Sequence, residues 1–544
     1  MPMPGLADAV REWTSVVGAE HVVCNHDRLA EASTATFRTT ARVHAIVQPA
    51  NREEVQACVR IANRLRVPIY PISSGKNWGY GSSVPARDGV LLDLGRLKRI
   101  VDFNEDLAYV TVEPGVTQRD LFVFLQDRGG RLWMDATGAS PDCSIIGNTL
   151  ERGFGHTPMG DHCASACGFE VVLPSGEILE TGFSRFPSAT IGALGRWGVG
   201  PSLDGLFSQS NLGIVTRMTV WLMPAPEHFE AFFFLSHDPD GLRHIVEALR
   251  PLRLNGTLQS VVHIGNDYKV LAGTTQFPWD DVPGSLDAEA MGRLRKSRSF
   301  GCWNGSGGLY GTHAQVKDAK RQVRRALAGK VNRLQFVNDR LLGLMERYAT
   351  PFRWLTGWDV RPTLTILAPV YGLLKGVPTE SPMASTYWRK RTAVPGEMKP
   401  DRDGCGLLWC SPVLPSTGAD AAAVTSLAAE IVSKAGFEPQ MSLSLAGDRS
   451  SVCVVTIAYD RDVPGEDARA LDCYHALTEQ LLSRGYPPYR LNLASMHVAD
   501  DGSSHAAVVR AIKLALDPNG VVAPGRYDSA GSDQGPRSLD VNVA

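Results

Sequence analysis

The sequence has almost no net charge: 55 Lys and Arg stand against 57 Asp and Glu in 544 residues, a formal −2. That balance supplies no overall positive field for nucleic acid or for an anionic lipid surface. It also lacks any run of about 18 apolar residues, the length needed to span a bilayer. Residues 1–8 show no positive stretch leading into an apolar one, so no secretory leader is expected and the cytoplasm is the expected location. Cysteine is sparse, ten in the chain, with irregular spacing and no C-x-x-C pair. A disulfide framework and a zinc cluster are therefore not expected, and the pairs Cys163/Cys167 and Cys405/Cys410 read as buried thiols. Neither a Walker A loop nor a G-x-G-x-x-G fingerprint is present, and no internal repeat or low-complexity tract occurs.

What is present reads as an enzyme-sized α+β protein. A chain this long exceeds what one core usually serves, so two large domains are expected. Residues 53–65, after the polar cap Asn51, place Val55, Cys58, Ile61 and Leu65 at helical spacing. Strand-like stretches flank them at 44–47 and 67–70, and further strands are expected at 89–94, 108–113 and 212–222. Residues 169–181 read as a hairpin turning at Ser175-Gly176. Pro224-Ala225-Pro226 breaks this pattern. Beyond it, short strands (231–235, 451–457) alternate with helices (241–252, 421–434), and 304–308 reads as a turn-rich connection. That texture suits an antiparallel sheet flanked by helices. The last ten residues are polar and expected to be disordered.

Two glycine-rich regions carry the ligand argument. Ser73-Ser74-Gly75-Lys76-Asn77-Trp78-Gly79-Tyr80-Gly81 follows a strand and holds three glycines in seven positions. Such a loop can turn several backbone N–H groups on one anion, and Ser and Asn add side-chain donors. Alone it is an anion site or simply a tight turn. The second region, 137–162, is too polar and glycine-rich for a core element and too long for an idle connection. Two such loops beside strands suit a long ligand with phosphates at one end and a ring system at the other.

The loop at 71–81, the Glu113-Pro114-Gly115-Val116-Thr117 turn and the stretch from Gly147-Asn148 to Gly160-Asp161-His162 resemble the vanillyl-alcohol oxidase/p-cresol methylhydroxylase flavoproteins. So do Gly205-Leu206-Phe207 through Gly213-Ile214, and Asp517-Pro518-Asn519-Gly520 with Ala523-Pro524-Gly525-Arg526. The resemblance covers roughly 40–225 and 485–527 strongly and the middle weakly. It implies a two-domain p-cresol methylhydroxylase-type FAD fold: 1–225 as the FAD domain, 226–488 as a cap built on an antiparallel sheet flanked by helices, and 489–544 returning to the FAD domain. By the same resemblance, Ser74, Gly75, Lys76, Asn77 and Gly79 cradle the pyrophosphate. Ser140, Pro141, Ser144, Gly147, Asn148, Arg152, Gly155, His156, Asp161 and His162 line the cofactor, Gly213, Ile214 and Val215 lie on the adenine side, and Arg526 sits near the flavin pyrimidine.

Gly485-Tyr486-Pro487-Pro488-Tyr489-Arg490-Leu491 offers a phenol donor beside a cation on a proline-stiffened segment. In the family, this pair joins the loop tyrosine, here Tyr80, in holding a substrate phenol as its phenolate. Ionising a phenol near neutral pH costs roughly 4 kcal/mol, which two hydroxyls and one guanidinium in a dry pocket can supply. The expected reaction is hydride loss from the benzylic carbon to flavin N5 through a quinone methide, with O2 or an electron-acceptor protein as the final oxidant. A homodimer is also expected. In two places the chain departs from the family. Leu407 stands where many members attach FAD covalently, so non-covalent FAD is expected. Ala139 stands where the oxidases place a carboxylate, with Asp142 a candidate base nearby. The alternatives are an FAD enzyme for a hydroxy acid, sugar or lactone, and a flavin-binding electron-transfer subunit.

Overall fold

The computed structural model describes residues 3–528 except 281, 283, 299 and 357–360; the polar tail expected to be disordered lies outside the described residues. Asn51 does cap a helix. Its side-chain oxygen accepts from the Glu54 amide, and the helix Arg52–Leu65 buries Val55, Cys58 and Ile61. It connects strands Val43–Val47 and Ile69–Ile72, which lie parallel on either side of Gly89–Asp93, with Val22–Val23 as an antiparallel edge. The end of the chain returns to this sheet: the Ile69 amide donates to the Val521 carbonyl, the Ala523 amide donates to the Ile69 carbonyl, and residues 521–523 are buried in the same core.

A second, antiparallel sheet runs in the order Ile100–Asn104, Tyr109–Val112, Ile214–Trp221, Ala166–Val172, Ile178–Glu180. The last two strands are the expected hairpin. Residues 144–150, read from composition as loop, instead contain the short helix Ile145–Leu150. Ser144 caps it by accepting from the Gly147 amide at 3.0 Å, and Ile145 and Ile146 are buried beneath it.

The third sheet lies between His228 and Asp460 and is antiparallel throughout. Its strand order is Arg333–Val337, His228–Ser236, Trp303–Gly311, Val262–Asn266, Gln440–Leu445, Ser450–Asp460, Cys405–Cys410, with Val413–Pro415 also paired to Ser450–Asp460. Alternation along these strands splits the side chains between two faces. Ile264, Leu443, Val455, Ile457 and Leu408 pack against helices Gly241–Leu254, His313–Leu327, Gly418–Lys434 and Glu466–Ser483. The other face carries His263, Gly265, Ser442, Ser444, Gln440, Thr456, Leu407 and Trp409 in register. That face is turned toward the first two sheets: His263 Nε2 lies 3.2 Å from the Gly155 carbonyl, and the Leu407 amide donates to the Thr36 carbonyl.

Residues 304–308 are not a turn. They lie inside strand Trp303–Gly311, which pairs with His228–Ser236 along its whole length and with Val262–Asn266 over 303–306. Their glycines serve packing, because a Cβ on Gly305 would meet Phe234 Cζ at 2.2 Å and one on Gly307 would meet Phe232 Cζ at 2.6 Å. Rings from the neighbouring strand cover the missing side chains. Gly305→Ala should therefore destabilise the protein by about 1–3 kcal/mol, read as a lower denaturation midpoint; an unchanged midpoint would contradict this packing. No helix among the described residues is long and apolar enough to cross a membrane.

Candidate active site

After strand Ile69–Ile72 the loop turns through Gly75, Gly79 and Gly81, with φ of 66°, 77° and 130°. Two of these glycines are also boxed in. A Cβ on Gly79 would lie 2.7 Å from Trp409 Cδ2, and one on Gly81 would lie 2.3 Å from Leu493 Cδ1. The loop is thus clamped between the third sheet and the returning C-terminal segment. Asn492 Nδ2 donates to the Gly79 carbonyl at 2.6 Å, and the Leu493 amide donates to the Tyr80 carbonyl at 3.1 Å.

This clamp fixes Tyr80, which is 3% exposed. Its hydroxyl pairs with Ser411 Oγ at 2.7 Å, Trp409 meets its ring edge-on at 5.5 Å, and the Arg490 guanidinium lies 4.0 Å from the ring centre. Tyr489 is placed through its backbone: its amide donates to the Ser411 carbonyl, and its carbonyl accepts from Gln209 Nε2. Burial pushes the Tyr80 hydroxyl well above the ordinary phenol range, reinforced by Tyr489 and opposed by Arg490, so Tyr80 remains a neutral donor.

Arg490 Nη2 donates to Asn77 Oδ1 at 2.7 Å and to Glu151 Oε2 at 3.1 Å, while its Nε is buried without a partner among the described residues. Glu151 also pairs with Arg526 and accepts from the Tyr527 hydroxyl at 2.9 Å. Burial alone would raise the Glu151 carboxyl, but Arg526 and Arg490 outweigh it and bring it down to about 2. Two guanidinium cations against one carboxylate leave one positive charge in an enclosed site. That surplus suits an anionic ligand.

The two glycine-rich regions touch. The Ser144 amide donates to Ser74 Oγ at 3.1 Å, and a Cβ on Gly147 would meet Ser73 Oγ at 2.7 Å. Beside them, Ser73, Ser74, Gly115, Thr117, Arg96 and Lys98 border a cleft of about 650 Å³, which the carboxylates Asp93 and Asp142 also line. Hydroxyls, cations and close backbone fit a phosphate-bearing cofactor. Lys76 lies 5.3 Å from the Trp78 ring centre. The carbonyl oxygens of Ser140 and Pro141 accept from Gln118 Nε2 and the Arg119 amide.

Other sequence-chosen residues are engaged elsewhere. His162 bridges Asn148 Oδ1 at 2.6 Å and Asp135 Oδ2 at 2.5 Å, and Asp135 also accepts from the His156 and Thr157 amides. This carboxylate folds the 154–162 segment around itself, and Gly155 is required because a Cβ would strike it. His156 packs against His263 with centroids 4.2 Å apart and the rings tilted by 36°; burial lowers both imidazoles, His263 to about 3. Arg152 holds Ser208 Oγ at 3.0 Å. Asp161 is exposed and caps Ala164, while Ile214 and Val215 are buried in apolar packing beyond Gly213. Asp142 is in a half-exposed ion pair with Arg119, which lowers its pKa, so it is not poised as a base. Glu151, Ser411 and Asp135 escaped sequence reasoning.

A model of the FAD binding domain matches residues 43–182. The chain is 43% identical over 528 residues (96% of this chain, 97% of the relative) to the 1'-carboxy-chondrochloren decarboxylase of Chondromyces crocatus. It is 30% identical over 526 residues (95% and 94%) to the flavoprotein subunit of the hydroxylating 4-cresol dehydrogenase of Pseudomonas putida. The solved structure of 4-ethylphenol oxidase from Gulosibacter chungangensis, in its isoeugenol complex, superposes with a TM-score of 0.87 at 30% identity, covering 97% of this chain and 99% of that one.

Proposed function

The chain belongs to the p-cresol methylhydroxylase family of FAD-binding oxidoreductases, and from that premise we propose that it oxidises a para-substituted phenol held as its phenolate. The supporting observation is the convergence of Tyr80, Tyr489 and Arg490 with a surplus positive charge. In this reading Tyr80 and Tyr489 donate to the phenolate oxygen and Arg490 balances its charge. Ser74, Gly75, Lys76, Asn77 and Gly79 hold the cofactor phosphates, with Ser144, Gly147 and Asn148 beside them, and Arg526 faces the flavin. FAD, when bound, supplies the two-electron acceptor for the hydrogen lost from the benzylic carbon. The phenolate pushes its electrons toward the para position, leaving the substrate as a quinone methide.

The Chondromyces crocatus relative, named a decarboxylase, favours a second outcome from that species. If the carbon next to the benzylic one bears a carboxylate, its C–C bond breaks, the electron pair forms the new C=C bond, the phenolate is restored and CO2 leaves. Turnover with 4-ethylphenol and with 3-(4-hydroxyphenyl)propanoate, followed by product analysis, tests the reading. A benzylic alcohol or vinylphenol supports it. Oxidation of lactate or sugars with neither phenol consumed would overturn it.

We also infer that FAD is held without a covalent bond. Leu407 packs against Trp78 and Met383 on the face turned to loop 71–81, and it has no nucleophilic atom. Acid precipitation should release the yellow colour into the supernatant; colour retained in the pellet would contradict this.

A further inference from the structure

Buried polar atoms without partners cluster on the site-facing side of the third sheet. Thr456 stands opposite both Trp409 and Gln440 in register, so the three form one row across adjacent strands. Among the described residues, Thr456 Oγ1, Trp409 Nε1 and both amide atoms of Gln440 are buried with no hydrogen-bond partner. Gln440 is 1% exposed and Thr456 2%. Burying such groups unmet is unfavourable, because the water they lose is not replaced by a partner. A row of them, all on the face turned away from the apolar core, points to a polar ligand atom.

A cation stands beside the row. Lys269 follows strand Val262–Asn266 in the helix Asp267–Ala272, and its Cγ would lie 3.5 Å from a Cβ on Gly265. Gly265 pairs with Ser442, which shares a face with Gln440 two residues before it. Among the described residues Lys269 makes no ion pair; its Nζ reaches Ser385 Oγ at 3.5 Å. Burial lowers its pKa to about 8. Ser385 belongs to the segment Ser381–Tyr387, whose Met383 packs on Leu407 and whose Pro382 lies beside Gly138. The ammonium therefore lies where this segment meets the sheet face, and Trp409, packed with Leu407 and Met383 there, also meets Tyr80 edge-on.

We propose that Lys269, Gln440 and Thr456 form a subsite for a carboxylate on the para side chain of the substrate. Lys269 supplies the charge, and the Gln440 amide and Thr456 hydroxyl donate to the carboxylate oxygens. Gln440 lies two strand spacings, about 10 Å, from Trp409, the reach of a phenol ring bearing a short acid chain. The substrate class is then a 4-hydroxyphenyl alkanoic acid. This rests on the phenol reading for the other end of the ligand.

The experiment compares 3-(4-hydroxyphenyl)propanoate with 4-propylphenol, which has the same chain length and no charge. Equilibrium binding to the FAD-loaded protein is measured by titration calorimetry, and oxidation by anaerobic loss of flavin colour. The acid should bind about tenfold or more tightly than 4-propylphenol. Lys269→Met should abolish that preference while leaving 4-propylphenol binding within about threefold, and Gln440→Leu should reduce the preference in a second, independently folded variant. Equal binding of the two ligands, or equal losses for both in Lys269→Met, would overturn the subsite. So would a loss of FAD retention in Gln440→Leu with the preference intact, which would assign the row to the flavin. Absence of colour loss with either ligand would refute phenol oxidation instead, leaving the binding comparison to decide the subsite.

Discussion

Arg490→Met is expected to slow reduction of bound FAD by a 4-alkylphenol by about 10³-fold. Of Tyr80, Tyr489 and Arg490, the three groups proposed to hold the phenol, only the guanidinium carries a charge. Its contact with the Tyr80 ring and its hydrogen bonds to Asn77 and Glu151 hold it rigidly at the phenol end of the site. Without it the local charge falls from one positive to zero, and the roughly 4 kcal/mol needed to ionise the phenol near neutrality loses its main source. Arg490→Lys should recover little, because a single ammonium cannot bridge Asn77 and Glu151 while covering a ring. Rapid-mixing measurements of flavin colour loss check this. A rate within about threefold of the parent protein would mean that Arg490 is structural.

Glu151→Gln is expected to have two opposed effects. Glu151 joins Arg490, Arg526 and Tyr527, and its loss leaves the buried Arg490 cation and the partly buried Arg526 cation without their shared carboxylate, a cost of up to about 3 kcal/mol in stability. In the folded protein its carboxyl is drawn from 4.5 to about 2, so its stabilising contribution is complete above the unfolded value and is lost as pH falls through about 2. Acid denaturation of the parent should therefore show a loss of stability between about pH 4.5 and 2 that the variant lacks. In FAD-loaded variant protein that remains folded, the extra positive charge should tighten phenolate binding. Unchanged stability, or weaker phenolate binding, would contradict the charge account.

The sequence made the local parts of this site legible and concealed the long-range ones. Asn51 and the hairpin at Ser175-Gly176 are governed by neighbours in the chain and were readable as a cap and a turn, as were the turns of the glycine loop, though not the distant Trp409 and Leu493 that clamp it. Tyr80, Tyr489 and Arg490 were found through resemblance, and the structure brings them together around Ser411. Glu151 was missed because its partners, Arg490 and Arg526, lie hundreds of residues away. Asp135 was missed for the same kind of reason: nothing local marks a carboxylate that organises 154–162. Strand Trp303–Gly311 was misread because its glycines answer to Phe232 and Phe234 on another strand, which composition cannot show. The helix Ile145–Leu150 was obscured by averaging over a glycine-rich stretch, although its Ser144 cap and paired isoleucines were visible. The polar row around Gln440 emerges only when strand register is known.

If this site ionises a phenol, ultraviolet difference spectroscopy of bound 4-cyanophenol will show the ionised form. This phenol has no benzylic hydrogen to lose, so it stays bound unchanged. At a pH well below its own ionisation, binding to the FAD-loaded protein should produce the absorption band of the phenolate, and Arg490→Met should bind it without that band. Binding to the parent protein with the spectrum of the neutral phenol would contradict the account.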